Sequence, residues 1–120
     1  MCIRDSANGV LERLRAELAA ALLRADVLVT PTTPGAAFRI GEKVDDPLAM
    51  YLSDVFTTPA NLTGLPAVAV PSGTDADGLP LSLQILGRRF GEAGVLRAAR
   101  AFEREMGWVV APGFRGAERV

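Results

Sequence analysis

The chain contains no histidine, a single cysteine and a single lysine. Without histidine, neither a Ser-His-Asp nor a Cys-His mechanism can be built within these residues, and a histidine-ligated metal site is equally excluded. One cysteine, Cys2, leaves no internal disulfide, which is compatible with a reducing cytoplasm. No apolar run approaches the roughly 20 residues that a membrane helix needs. Charge of one sign is lacking too. Thirteen basic and fourteen acidic residues give a formal net charge of −1, so nothing electrostatic favours direct binding to nucleic acid or an anionic membrane.

What is present reads as folded protein. The chain of 120 residues is 49% apolar and 22% charged, in the range of one globular domain. Met1 to Ser6, MCIRDS, resembles the in-frame translation of a transposase adapter used to build sequencing libraries. On that reading residues 1–6 are a scar and the native sequence begins near Ala7, already inside a helix; the alternative is a genuine, disordered N-terminus. From Asn8, Val10, Leu14, Leu18 and Leu22, with Leu11 and Ala21 beside them, make the apolar stripe of an amphipathic helix. Asp26 closes it, and Val27 to Thr30 follows as a short buried strand. Pro31-Thr32-Thr33-Pro34-Gly35 then breaks regular structure. Ala36 to Val44 is expected to be an ordered loop anchored by Phe38 and Ile40, serving either as the wall of a cleft or as a simple connector.

The most patterned stretch is DPLAMYLSDVFTTPANLTGLPAVAVPSG, Asp46 to Gly73. Leu48, Tyr51, Leu52, Val55 and Phe56 recur at helical spacing, and Pro47 suits a first helical turn because its missing N–H would be unpaired there anyway. Pro59 disfavours helical geometry at Thr58, so the spacing predicts a helix that stops near Thr57 and a polar loop after it. Ala67 to Val70 is a buried strand bounded by Pro66 and Pro71. Asp54 stands out, a carboxylate set between apolar positions and beside the loop, where it needs a partner or water. Thr58 and Asn61 are expected to hold the loop by hydrogen bonds to backbone, and Gly64 and Gly73 to serve backbone geometry.

Asp75-Ala76-Asp77-Gly78 is a turn, leading to a second strand over Leu81 to Gly87 in hairpin arrangement. It lacks the ligand pattern and closing glutamate of a calcium loop. A last helix, from about Gly91 to Met106, presents Val95, Leu96, Ala99 and Phe102, with Gly107 as its C-cap. Residues 107–120 are expected to form a loose tail. Helices alternating with strands predict an α/β architecture, a mixed β-sheet covered by helices over residues 7–106, with Val27–Thr30 free to run parallel to the strand it reaches through a helix. So few strands make a thin sheet with exposed edges, as in a piece of a larger one.

The segment from Pro31 to Gly73, then DGLPLSLQILG and the EAGVLRAARAFE helix, closely resembles the C-terminal part of the amidase signature family. NLTGLPAVAVPSG and GLPLSLQILG carry the family resemblance. IGEKVDDPLAMYLSDVFT is narrower and is similar to the branch that supplies ammonia for tRNA-dependent amidation. The resemblance implies the C-terminal part of the amidase signature fold and an enzyme that hydrolyses an amide through a serine nucleophile, a second serine and a lysine. Those groups lie in upstream segments. Lys43 sits in the IGEK loop and no Gly-Ser-Ser-Gly run occurs, so these residues supply no catalytic group and are expected to be inactive alone.

The resemblance also implies a substrate-binding role for Asp54, which matches an aspartate that contacts the α-amino group of glutamine. The competing reading is a solvated or loop-capping aspartate. It implies as partners the B and C subunits of a cytoplasmic amidotransferase, with tRNA held by B, no direct nucleic-acid or membrane contact here, and no cofactor, ATP being used by the partner subunit. The product would be Gln-tRNA(Gln) or Asn-tRNA(Asn). A stand-alone amidase and a non-enzymatic interaction module are the alternatives. Against the first stands Asp54, which a substrate without an ammonium would leave unused.

Overall fold

The computed structural model describes residues 3–107. Helix α1 (Ile3–Arg24) leads into strand β1 (Val27–Pro31), followed by two short helices, α2 (Pro47–Leu52) and α3 (Thr58–Thr63). Strands β2 (Ala67–Thr74) and β3 (Pro80–Gly87) form a hairpin, and α4 (Glu92–Met106) completes the described chain. Ile3 to Ser6 belong to α1, although Ile3 is exposed. Residues 108–120, nearly all of the segment expected to be a tail, lie outside the described residues.

The sheet has the order β1-β3-β2. Both outer strands pair antiparallel to β3, Val29 opposite Ile85 and Val68 opposite Ile85. β1 and β2 therefore run in the same direction, as strands joined through helices can, but β3 lies between them. The mixed pairing expected from the sequence is not formed among the described strands. The hairpin turn is fixed locally: the Asp75 carboxylate accepts from the backbone N–H groups of Asp77 (3.0 Å) and Leu79 (2.8 Å), and Gly78 adopts φ 80°. β2 runs past Pro71 rather than stopping there. Pro71 sits on an edge strand, where no partner needs its missing N–H, and a bulge between Pro71 and Gly73 shifts the register by one residue before pairing resumes at Gly73 with Leu81.

Side chains alternate across the strands, so Leu83 and Ile85 face one way while Ser82, Gln84 and Leu86 face the other. The first face packs against α4: Val70, Ile85, Val95 and Ala99 form a buried cluster, with Val27, Val68, Leu83 and Phe102 around it. Leu96 is 61% exposed rather than part of that face, because a residue next to Val95 is rotated about 100° round the helix. On α1 the stripe narrows towards its end. Leu22 is buried and Val10 exposed, and α1 meets α3 and β1. Arg88 Nε donates to the Leu22 carbonyl at 3.0 Å and ties α1 to the end of β3.

Pro59 opens a helix instead of ending one. α2 stops at Leu52, a turn spans Ser53 to Thr57, and Pro59 occupies the first turn of α3, where no N–H is required. α3 ends at Gly64, whose left-handed backbone (φ 71°, ψ 28°) returns its N–H to the Ala60 carbonyl at 2.9 Å. The expected polar loop is thus mostly helix.

Candidate functional site

Of the residues singled out by the sequence, Asp54 and Thr58 meet at the turn between α2 and α3, with Asn61 further along α3, Gly64 at its C-cap and Gly73 away on β2. α2 is capped by the Asp46 carboxylate, which accepts from the Ala49 N–H at 3.0 Å, with Pro47 in its first turn. Its C-cap, Ser53, donates its hydroxyl back to the Ala49 carbonyl (3.1 Å) and accepts from Lys43 Nζ (3.1 Å). Lys43 Nζ also lies 4.2 Å from the centre of the Phe38 ring, so the chain's only lysine clamps the preceding loop onto the end of α2. Phe38, expected as an anchor, is exposed and meets the loop through this contact with Lys43. Ile40, the other expected anchor, is fully exposed.

Asp54 follows Ser53. Its backbone carbonyl accepts from the N–H groups of Thr57 (3.1 Å) and Thr58 (3.0 Å) and from their hydroxyls (3.3 and 2.8 Å). A single oxygen thus organises the whole turn, while the Asp54 side chain is exposed and its carboxylate takes no hydrogen bond from any described residue. Thr58 plays the loop-holding part expected of it. Asn61 does not; its side chain is exposed in α3 and bonds to no described residue. Leu48, Tyr51, Leu52 and Val55 are exposed, so the apolar side of this segment stands uncovered.

One contributor has almost no signature in the sequence. Gln84, in the middle of β3 and only 5% exposed, donates through Nε2 to the Phe56 carbonyl (2.9 Å) and to Thr30 Oγ1 (3.2 Å). Its carboxamide joins the central strand, the edge strand β1 and the Asp54 turn. A lone polar residue alternating with Leu83 and Ile85 is its only signal. Its partners, 28 and 54 positions away, are invisible to local pattern.

Two grooves open nearby. One, of about 390 Å³, runs along the end of β1 and is lined by Thr30, Thr33, Ser72, Leu81 and Ser82 among others. At its edge Thr32 Oγ1 is buried without a hydrogen-bond partner among the described residues. The other, of about 330 Å³, lies between α1 and the end of β3 and is lined by Leu22, Leu65, Arg15, Arg88 and Arg89. Asp54 lines neither groove. No group of three or more potential metal-ligating side chains occurs among the described residues.

Comparison with known proteins decides the family. Residues 4–96 match the family Amidase. This chain belongs to the amidase family. The amidase segment is 52% identical over 106 residues to the glutamyl-tRNA(Gln) amidotransferase A subunit from Parvibaculum lavamentivorans, covering 88% of this chain and 22% of that protein. It is 54% identical over 99 residues to the protein of the same name from Myxococcus xanthus, covering 82% of this chain and 20% of the relative. The crystal structure of the glutamyl-tRNA(Gln) amidotransferase A subunit from Thermotoga maritima superposes with a TM-score of 0.83 at 44% identity, covering 88% of this chain and 23% of that one. The amidase segment therefore spans about one fifth of the length of these relatives.

Proposed function

We propose that this chain is the C-terminal part of the glutamine-hydrolysing A subunit of an amidotransferase, in which Asp54 holds the α-ammonium group of glutamine. The observation that carries the reading is the division of labour within Asp54: its carbonyl is consumed in building the turn, and its carboxylate is left exposed and unbonded among the described residues. An ionised carboxylate fixed at the end of a rigid turn suits an ammonium, because a charge-assisted hydrogen bond is stronger than a neutral one and the turn carries the orienting cost in advance. The 52% identity to a glutamyl-tRNA(Gln) amidotransferase A subunit supports the same choice of substrate.

In this reading the reaction proceeds on groups outside these residues. A serine oxygen attacks the side-chain amide of glutamine, ammonia leaves, and water releases glutamate from the acyl-enzyme. The ammonia then passes to Glu-tRNA(Gln) or Asp-tRNA(Asn) held by the B subunit, with C as the third partner and ATP consumed at the partner site. The present residues bind and orient, and hydrolyse nothing by themselves.

The test is ammonia release by the intact enzyme, with and without the B and C subunits. Asp54→Asn keeps the shape and removes the charge. A hydrogen bond to a charged group contributes about 1.5–3 kcal/mol, so the KM for glutamine should rise about ten- to a hundredfold while kcat changes little. An unchanged KM overturns the ammonium assignment. Turnover of simple amides with no response to glutamine replaces the whole reading with that of a stand-alone amidase.

A further inference from the structure

We infer that Gln84 is a positioning residue for glutamine recognition, setting the place of Asp54 by pinning the turn that carries it to the centre of the sheet. The inference rests on the assignment of Asp54 to the substrate ammonium and deepens it.

The Asp54 turn is rigid within itself, since the Asp54 carbonyl gathers both the N–H groups and the hydroxyls of Thr57 and Thr58. Those bonds are all internal to the turn. They fix its shape and say nothing of where it sits. The flanking helices have six residues each; α3 buries Ala60 and Thr63 and meets α1, but α2, on the other side of the turn, has no buried residue. The hydrogen bond that ties the turn to the sheet is Gln84 Nε2 to the Phe56 carbonyl, at 2.9 Å and two residues beyond Asp54. No other described donor reaches that carbonyl.

The second N–H of the same nitrogen is directed to Thr30 Oγ1 at 3.2 Å, so the carboxamide is held from both sides and both donors are used. Thr30 is also Gln84's register partner in the β1–β3 ladder. Gln84 lies on the central strand, between β1 and β2, the part of the sheet with the least freedom to move. At 5% exposure no water competes freely for the carboxamide, and a buried polar side chain with two bonds is a firm support. A methionine in its place would fill similar volume with no donor, leaving the Phe56 carbonyl without a partner and the turn free to shift.

The experiment uses the intact enzyme with its B and C partners, wild type beside Gln84→Met, Asp54→Asn and the double variant, assayed by ammonia release over a range of glutamine concentrations. Gln84→Met should raise the KM for glutamine about fivefold or more, with kcat within about twofold, the scale of a lost buried hydrogen bond. In the Asp54→Asn background the same change should have less than about twofold effect, because there is no longer a carboxylate to misplace. Thr30→Val, which frees the carboxamide on its β1 side only, should move KM in the same direction by less and covers the case in which Gln84→Met does not fold. Equal effects of Gln84→Met in both backgrounds overturn the positioning role, as does a fall in kcat with KM unchanged. If Asp54→Asn raises KM and Gln84→Met does not, the positioning role alone fails. If Asp54→Asn leaves KM unchanged, the ammonium assignment fails and the positioning role with it.

Discussion

Single residues here do work that their type alone would not announce. Gly64 is one case. Its left-handed backbone terminates α3, and a Cβ built on it would meet nothing within 4 Å, so any penalty for a side chain there is backbone strain and not crowding. Gly64→Ala should therefore cost about 1 kcal/mol, the left-handed penalty of about 1–2 kcal/mol less the entropy gained by restricting the unfolded chain. Gly64→Asn should cost less than Gly64→Ala, because asparagine tolerates that conformation. Chemical denaturation of the intact enzyme measures both, and equal losses would point to side-chain packing instead. The need for glycine at 64 and 73 is legible in the sequence, and both carry positive φ, 71° and 128°. Asp54 is legible as an anomaly in the pattern. Its carbonyl, the part that builds the turn, is not, since which backbone oxygen collects four donors depends on where two helices end.

At the scale of elements, what can be read is whatever forms from neighbours in the chain. The Asp75–Gly78 turn, closed by a side chain and N–H groups two and four residues on, is where the sequence places it. So is α4, with its period and its glycine stop. Two prolines mislead. Pro59 and Pro71 have the look of boundaries, yet one opens α3 and the other rides on an edge strand, because each sits where its missing N–H has no partner to lose. The antiparallel pairing of β1 with β3 joins residues some fifty or more positions apart, and no local signal carries that. One close contact between elements invites a test. Gly87 ends β3 directly beneath Val95 of α4, and a Cβ there would run into the Val95 γ-methyl group. Val95 is 2% exposed within the packed cluster and cannot swing aside. Gly87→Ala should destabilise the protein by about 1–3 kcal/mol, the usual cost of overpacking. Val95→Ala in the same chain removes the obstructing methyl groups, so the double variant should lose less than the sum of the two single changes. Strict additivity in a thermal or denaturant series would show that the two elements do not meet as described.

The molecule as a whole is more open than its composition requires. Among the described residues, seventeen large hydrophobic side chains are exposed, while seven apolar residues are buried. Several of the exposed ones lie on α2 and the loop before it: Leu48 is 67% exposed, Tyr51 79% and Ile40 wholly so. Hydrophobic side chains gathered on one segment signal a surface that another part of a protein covers. The relatives offer a source for that cover, since these residues account for only about one fifth of their length. If Asp54 holds glutamine as proposed above, the same covering segments would complete the cleft around it. The consequence is testable by comparing the isolated 120-residue chain with the intact enzyme. The isolated chain should bind a hydrophobic dye and exchange the amide hydrogens of Tyr51 to Thr58 quickly, while those of Ile85 and Val95, in the buried cluster, are slowed. In the intact enzyme the Tyr51–Thr58 amides should become protected and dye binding should fall away. Fast exchange at these positions in both forms would mean that the face stays open and that nothing covers the segment around Asp54.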